Sequence, residues 1–141
     1  MTTDLMTLGQ RALAAQAFSV WLGTELTRFT AGAAELSLPI RPEFLQQHGF
    51  VHGGVLAYLA AHALTFAGGS VLGPAVLTAE FKINYLRPAA GERLIARAGV
   101  LSHGQSQAVC RCEIMAVQAD GAERVCAAAQ GTIVQTASRR D

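Results

Sequence analysis

With 141 residues, the chain has material for one hydrophobic core and not for two. It is 51% hydrophobic and only 15% charged, below the usual charged share of about 25%, so a subunit interface is expected to hide part of its surface. A formal net charge of +1, with the arginines scattered from Arg11 to Arg140, excludes the basic stripe of a nucleic-acid binder.

The first segment, Met1-Thr2-Thr3-Asp4, carries an acid where a secretory signal carries basic residues, and no apolar region with a cleavage site follows; a cytoplasmic protein is expected. Residues 4–18 set Leu5, Met6, Leu8, Leu13, Ala14 and Phe18 at helical spacing behind Asp4, which predicts one amphipathic N-terminal helix. Residues 21–29 and 34–38 predict two strands joined at Thr30-Ala31-Gly32, the second alternating as half-buried strands do. Pro42 ends this hairpin, and residues 43–51 read as a loop or short turn. A central apolar helix follows from near Gly54 to Gly68-Gly69, where glycine is expected to close it.

From Glu43 to Glu80 no Asp, Glu, Lys or Arg intervenes, a stretch long enough to cross a bilayer. It is interrupted by three histidines, several glycines and Pro74, and its helical part, residues 54–68, falls short of the roughly 20 residues a span needs. A helix wrapped by protein is the expectation, with no membrane partner. The period then changes to two over residues 77–86, 93–101, 107–117 and 124–134, with turns at Pro88-Ala89-Ala90-Gly91, Ser102-His103-Gly104 and Asp120-Gly121. Helix, two strands, apolar helix and four strands give an α+β domain over residues 1–141, a curved antiparallel sheet wrapped around the apolar helix, with a short polar tail at 137–141. Cys110, Cys112 and Cys126 form no C-x-x-C; C-x-C in a strand sends both thiols to one face, and buried free thiols are expected.

The residues Gln46-x-x-Gly49-x-Val51-His52-Gly53-Gly54, then the helix, then Lys82-Ile83-Asn84-Tyr85-Leu86-Arg87-Pro88 carry a family likeness. They resemble the PaaI-like, phenylacetate-pathway branch of hotdog-fold thioesterases, over nearly all of the chain beyond the first helix. The resemblance implies the hotdog fold, hydrolysis of acyl-CoA thioesters with aryl-CoA of phenylacetyl type as expected substrates, and no cofactor beyond the coenzyme A of the substrate. It also implies a homodimer with composite sites, often a homotetramer. The chemistry of the motif has its own reason: the first turn of a helix has amides without intrahelical partners and a positive dipole end. A glycine there lets a thioester carbonyl approach, so the Gly53 amide suits the oxyanion that forms on attack, the role of the matching family glycine. Gly54 completes the helix start. Gln46 matches a family Asn or Gln that positions the thioester or water, and read alone is a loop glutamine. His52 matches the motif histidine, whose ring more readily fixes the helix start than takes a proton.

Eight residues beyond the motif glycine the family carries an Asp or Glu as base or nucleophile; here Ala61 stands, and it can do neither. His62 titrates near neutrality but lies about a quarter turn from position 61, so base and hydrogen-bonded wall or interface residue both stay open. Thr65 and Thr78 match family hydroxyls near the attacking water. Tyr58 and Phe66 border the acyl pocket or belong to the core. Arg87, with the turn at His103-Gly104, resembles the edge that holds the CoA nucleotide, against a solvated arginine and a plain turn. The four histidines show no zinc spacing, and no P-loop, dinucleotide fingerprint or nucleophile elbow is present, so no metal is expected. Two functions are compatible with these residues: an acyl-CoA hydrolase lacking the usual acid, or a non-catalytic acyl-CoA binding or regulatory protein. A pure scaffold would leave the motif without a purpose.

Overall fold

The N-terminal segment makes two helices rather than one. In the computed structural model of the protein, which describes residues 4–136, α1 (Leu5–Ala14) is capped by Asp4, whose Oδ1 accepts the Thr7 N–H at 2.8 Å. The basic stretch at Ser138-Arg139-Arg140 and the residues before Asp4 lie outside the described residues. A second short helix, α2 (Ala17–Leu22), is closed by Gly23 at φ 86°, a backbone angle that favours glycine. The strand expected from Trp21 therefore begins only at Glu25, because Trp21 and Leu22 still belong to the helix.

Strand β1 (Glu25–Thr30) turns through Ala31-Gly32 into β2 (Ala33–Pro39), and a 3-10 turn (Pro42–Phe44) leads to a loop pinched by the bridge Leu45↔Val51. Helix α3 (Gly53–Leu72) follows, then β3 (Val76–Tyr85), β4 (Arg93–His103), β5 (Gln107–Val117) and β6 (Glu123–Gln135). The strands form one antiparallel sheet in the order β1-β2-β4-β5-β6-β3, so among the described residues β3 is an edge strand hydrogen-bonded only to β6. Together with α3 packed on one face of the sheet, this is the hotdog arrangement.

The sequence expectation ends α3 at Gly68-Gly69, but the helix runs one turn further and closes at Gly73. Gly68 serves close approach instead: a Cβ there would come within 2.6 Å of Ile133 on β6. With 20 residues, α3 also meets the length of a membrane span, so length does not argue against one; packing does. Leu59, Ala60, Ala63, Leu64 and Ala67 are fully buried against Leu36, Leu94, Ile114 and Ile133 of the sheet. Cys110, Cys112 and Cys126 share that core as free thiols, and burial pushes the Cys112 thiol up to about 12.

Candidate active site

The loop before α3 delivers the helix start with most of its amides already engaged. His52 caps α3: its Nδ1 accepts the Gly54 N–H at 2.8 Å, and its carbonyl accepts the Val55 N–H at 2.9 Å. The His52 N–H in turn donates to the Phe44 carbonyl at 2.7 Å, tying the cap to the 3-10 turn. That leaves the Gly53 N–H, for which no acceptor is found among the described residues. Tyr85, at the end of β3, donates its hydroxyl to the Gly53 carbonyl at 2.9 Å, and its ring would lie 3.3 Å from any Cβ at position 53. The glycine is required for this approach of the aromatic ring as well as for open access to the amide.

Gln46 and Gly53 share a cavity of about 410 Å³ with Phe50, Tyr85 and Arg87. Gln46 Oε1 accepts the His48 N–H within its own loop, so its carboxamide nitrogen is the part left for a ligand. Arg87 is exposed at the β3 end and forms no ion pair among the described residues. Tyr85 is a site-wall residue that the sequence reading missed, although it sits inside the Asn84-Tyr85-Leu86-Arg87-Pro88 segment that carried the family likeness.

Thr65 and Thr78 meet at the other end of the same strand and helix. Their hydroxyls are 2.5 Å apart, and Thr65 Oγ1 donates to the Ala61 carbonyl at 2.7 Å. With the Thr65 proton spent on that carbonyl, Thr78 donates to Thr65, and the Thr78 oxygen keeps lone pairs for a further donor such as water. Ala61, whose carbonyl takes the Thr65 proton, is itself half-buried. Along α3, Thr65 lies about 18 Å from Gly53. One chain therefore does not bring the helix-start cluster and the hydroxyl cluster together. The turn of His103 and Gly104 is likewise remote from Arg87: the Gln135 N–H bonds the Ser106 carbonyl, which puts that turn near the start of β3, whereas Arg87 follows its end.

His62 belongs to a third group. Its Nε2 is 3.2 Å from Ser19 Oγ, and Tyr58 donates to the same oxygen at 2.7 Å. Thr24 Oγ1 lies 2.8 Å from the Tyr58 hydroxyl, and Ser19 donates to Gln16 Oε1 at 3.2 Å. Ser19 is only 2% exposed, and the His62 ring lies between Tyr58 and Phe66 at centroid distances of 5.5 and 5.0 Å, tilted to both. Burial depresses its pKa from 6.5 to about 4, so the ring is neutral at pH 7. Tyr58 thus works in a polar network, while Phe66 lines a cavity of about 350 Å³ under α1 together with His62 and Thr65. The members Ser19 and Thr24 were invisible in sequence because residues 19–24 straddle the unpredicted helix α2. Among the described residues, no group of three or more His, Cys, Asp or Glu is placed to hold a metal ion.

Comparison with known proteins identifies the family and the fold. Residues 48–122, which contain the helix start, α3 and the strands β3 to β5, match the sequence model of the thioesterase superfamily. A Haemophilus influenzae protein assigned by name as a candidate esterase is 30% identical over 95 residues, 66% of this chain and 69% of its own. The crystal structure of a thioesterase family protein from Silicibacter pomeroyi superposes with a TM-score of 0.84 at 34% identity, over 88% of this chain and 92% of that one. The structure of the E. coli PaaI protein from the phenylacetic acid degradation operon superposes with a TM-score of 0.83 at 26% identity, over 95% of this chain and 97% of that one.

Proposed function

Because the chain belongs to the thioesterase superfamily, as a PaaI-like hotdog hydrolase of thioesters, we propose that it cleaves acyl-CoA esters, phenylacetyl-type esters among them, at a site completed by a second copy. The observation that carries this reading is the free Gly53 amide at one end of β3 and the hydroxyl pair at the other. The edge of β3 is open to a second strand, and antiparallel pairing with its own copy about the point between Phe81 and Lys82 sets Thr78 opposite Tyr85. The Gly53 amide of one copy then faces the Thr65 and Thr78 hydroxyls of the other, and the His103-Gly104 turn of one copy nears Arg87 of the other. Arg87 suits a CoA phosphate. The low charge content supports a homodimer, or a homotetramer of two such dimers. The three free thiols accord with a cytoplasmic setting.

In this reading the thioester oxygen accepts the Gly53 N–H, whose helix dipole favours the developing oxyanion. The Gln46 amide orients the ester, and a water donating to Thr78 Oγ1 attacks the carbonyl carbon. The carbon–sulfur bond breaks as the thiolate takes up a proton, giving a carboxylic acid and coenzyme A. No carboxylate assists at position 61, and His62, neutral and turned toward α2, is too weak a base to replace one at pH 7. Hydrolysis therefore rests on carbonyl polarisation and is slow.

Turnover of a panel of aryl and short to medium acyl-CoAs tests this. Gly53→Pro removes the free amide at a helix position that accepts proline, after a His52 backbone (φ −57°, ψ 135°) that proline tolerates, and is read against Gly53→Ala, which sets the same Cβ 3.3 Å from the Tyr85 ring but keeps the amide. The expected loss is about a hundredfold or more in kcat with helix content kept; unchanged turnover overturns the amide's role. Ala61 favours a second reading, in which the ester is bound and not cleaved, and binding without turnover in the unaltered protein would select it.

A further inference from the structure

The residue that carries the open amide has little of its own to fix it. Gly53 and Gly54 are consecutive glycines in the first turn of α3, the residue type with the widest choice of backbone angles, at a helix end, where fraying is usual. Aim matters for a single donor, because a hydrogen bond weakens steeply once donor, proton and acceptor leave a line. Contacts with neighbouring groups must therefore supply the order that two glycines withhold.

Those contacts fall on two peptide units. The unit that bears the Gly53 N–H has the His52 carbonyl at its other end, and that carbonyl accepts the Val55 N–H at 2.9 Å. The next unit joins the Gly53 carbonyl to the Gly54 N–H in one plane, and side chains hold it at both ends. His52 Nδ1 takes the N–H at 2.8 Å, and the Tyr85 hydroxyl donates to the carbonyl at 2.9 Å. Only the φ and ψ of Gly53 separate this clamped plane from the open amide. Tyr85 Cζ, Oη and Cε1 also lie 3.3 to 3.4 Å from where a Cβ of Gly53 would stand, so the ring closes one side against rocking of the residue. The two clamps differ in origin. His52 is the neighbouring residue and moves with the helix start, whereas Tyr85 is 32 residues away and ends β3, paired with Ala127 of β6. Among the described residues, its hydroxyl makes the one side-chain hydrogen bond from the sheet to the Gly53–Gly54 peptide.

We propose that Tyr85 is a positioning residue whose hydroxyl holds the Gly53–Gly54 peptide in register with the β3 edge and so aims the Gly53 N–H at the thioester oxygen. The assignment rests on the thioester reading above and adds to it a link between the strand edge and the oxyanion donor. Because Tyr85 of one copy stands opposite Thr78 of the other in that reading, the same side chain sets the amide of one copy against the hydroxyl pair of the second. Phenylalanine at this position keeps the ring against Gly53 and the pairing of β3 with β6, and loses only the hydroxyl.

Difference infrared spectra of the full-length protein with phenylacetyl-CoA and hexanoyl-CoA, each ¹³C-labelled at the thioester carbon, read the aim of the amide directly, whether or not the ester is cleaved. Bound to the unaltered protein, the carbonyl stretch is expected at lower frequency than in water, and in Tyr85→Phe most of that shift is lost. Where the ester is cleaved, kcat of Tyr85→Phe falls about tenfold, less than for loss of the amide itself, while KM stays within about twofold. Sedimentation shows the same assembly for both proteins. A shift that survives Tyr85→Phe overturns the assignment and leaves the thioester reading in place, as does a loss that appears only with dissociation of the assembly. If the unaltered protein binds these esters without a shift, or binds neither, the thioester reading falls and this one with it.

Discussion

Position 61 lies one helical turn before an ordered hydroxyl pair, since Thr65 donates to the Ala61 carbonyl and meets Thr78. Under the proposed mechanism, an acid at position 61 supplies the base that the attacking water lacks. Ala61→Asp is accordingly expected to raise kcat by about 10²–10⁴, measured with the best acyl-CoA of the panel; no gain would mean that the hydroxyl pair does not hold the reactive water. His62 leaves its own trace in stability. Its folded pKa of about 4 lies below the 6.5 of the free residue, so between those values the unfolded chain binds a proton that the folded chain refuses. Stability is therefore complete above about pH 6.5 and is lost as pH falls toward 4, by up to about 3 kcal/mol. The side chains in contact with it, Ser19, Tyr58 and Phe66, include no carboxylate or basic group that would offset the loss. Urea unfolding of the protein and of His62→Gln from pH 7 to pH 4.5 checks this, the variant showing the flatter profile. At this scale, sequence reading located the motif residues Gly53, His52 and Gln46, because their chemistry depends on the chain immediately around them. It missed Tyr85 and Ser19 as partners of Gly53 and His62, since those contacts span 32 and 43 residues of chain.

Among the elements, the four C-terminal strands were legible to within two residues at either end, because each alternates and is bounded by a turn. The two failures have one origin, glycine used in two ways. Gly23 adopts a left-handed angle and closes a six-residue helix too short for a periodic signal, so α2 read as the start of a strand. Gly68 and Gly69 remain helical inside α3, where the first admits Ile133. A paired substitution separates close approach from helix propensity. Gly68→Ala drives a Cβ into Ile133, and overpacking of about 1–3 kcal/mol outweighs the roughly 1 kcal/mol that alanine contributes to a helix. Gly69→Ala meets only Val76, at 3.4 Å, and keeps that gain. Thermal or urea denaturation should thus move in opposite directions for neighbouring glycines; a shared direction would refute the packing account.

At the level of the whole molecule, the β3 edge, unpaired among the described residues, and the exposed Leu77, Tyr85 and Leu86 beside it form the face on which the proposed second copy would complete the site. Mixing two inactive variants tests that division. Gly53→Pro and Thr78→Val each spoil both sites of a homodimer, but a mixed dimer has one site made wholly of native residues. Refolded together in equal amounts, they should recover roughly a quarter of native turnover; recovery of none would place both clusters in separate sites. Sequence could not reveal this division, because Gly53 and Thr65 share one helix and their separation of about 18 Å is apparent only once that helix is built. Under the proposed function, the cap on that helix also bears on product release. A helix start with several open amides grips an anion, and the carboxylate product is one. Because His52 holds the Gly54 N–H on its ring and the Val55 N–H on its carbonyl, the helix start itself would offer the freed acid of the proposed reaction one backbone donor, a weaker grip than an uncapped helix start would have.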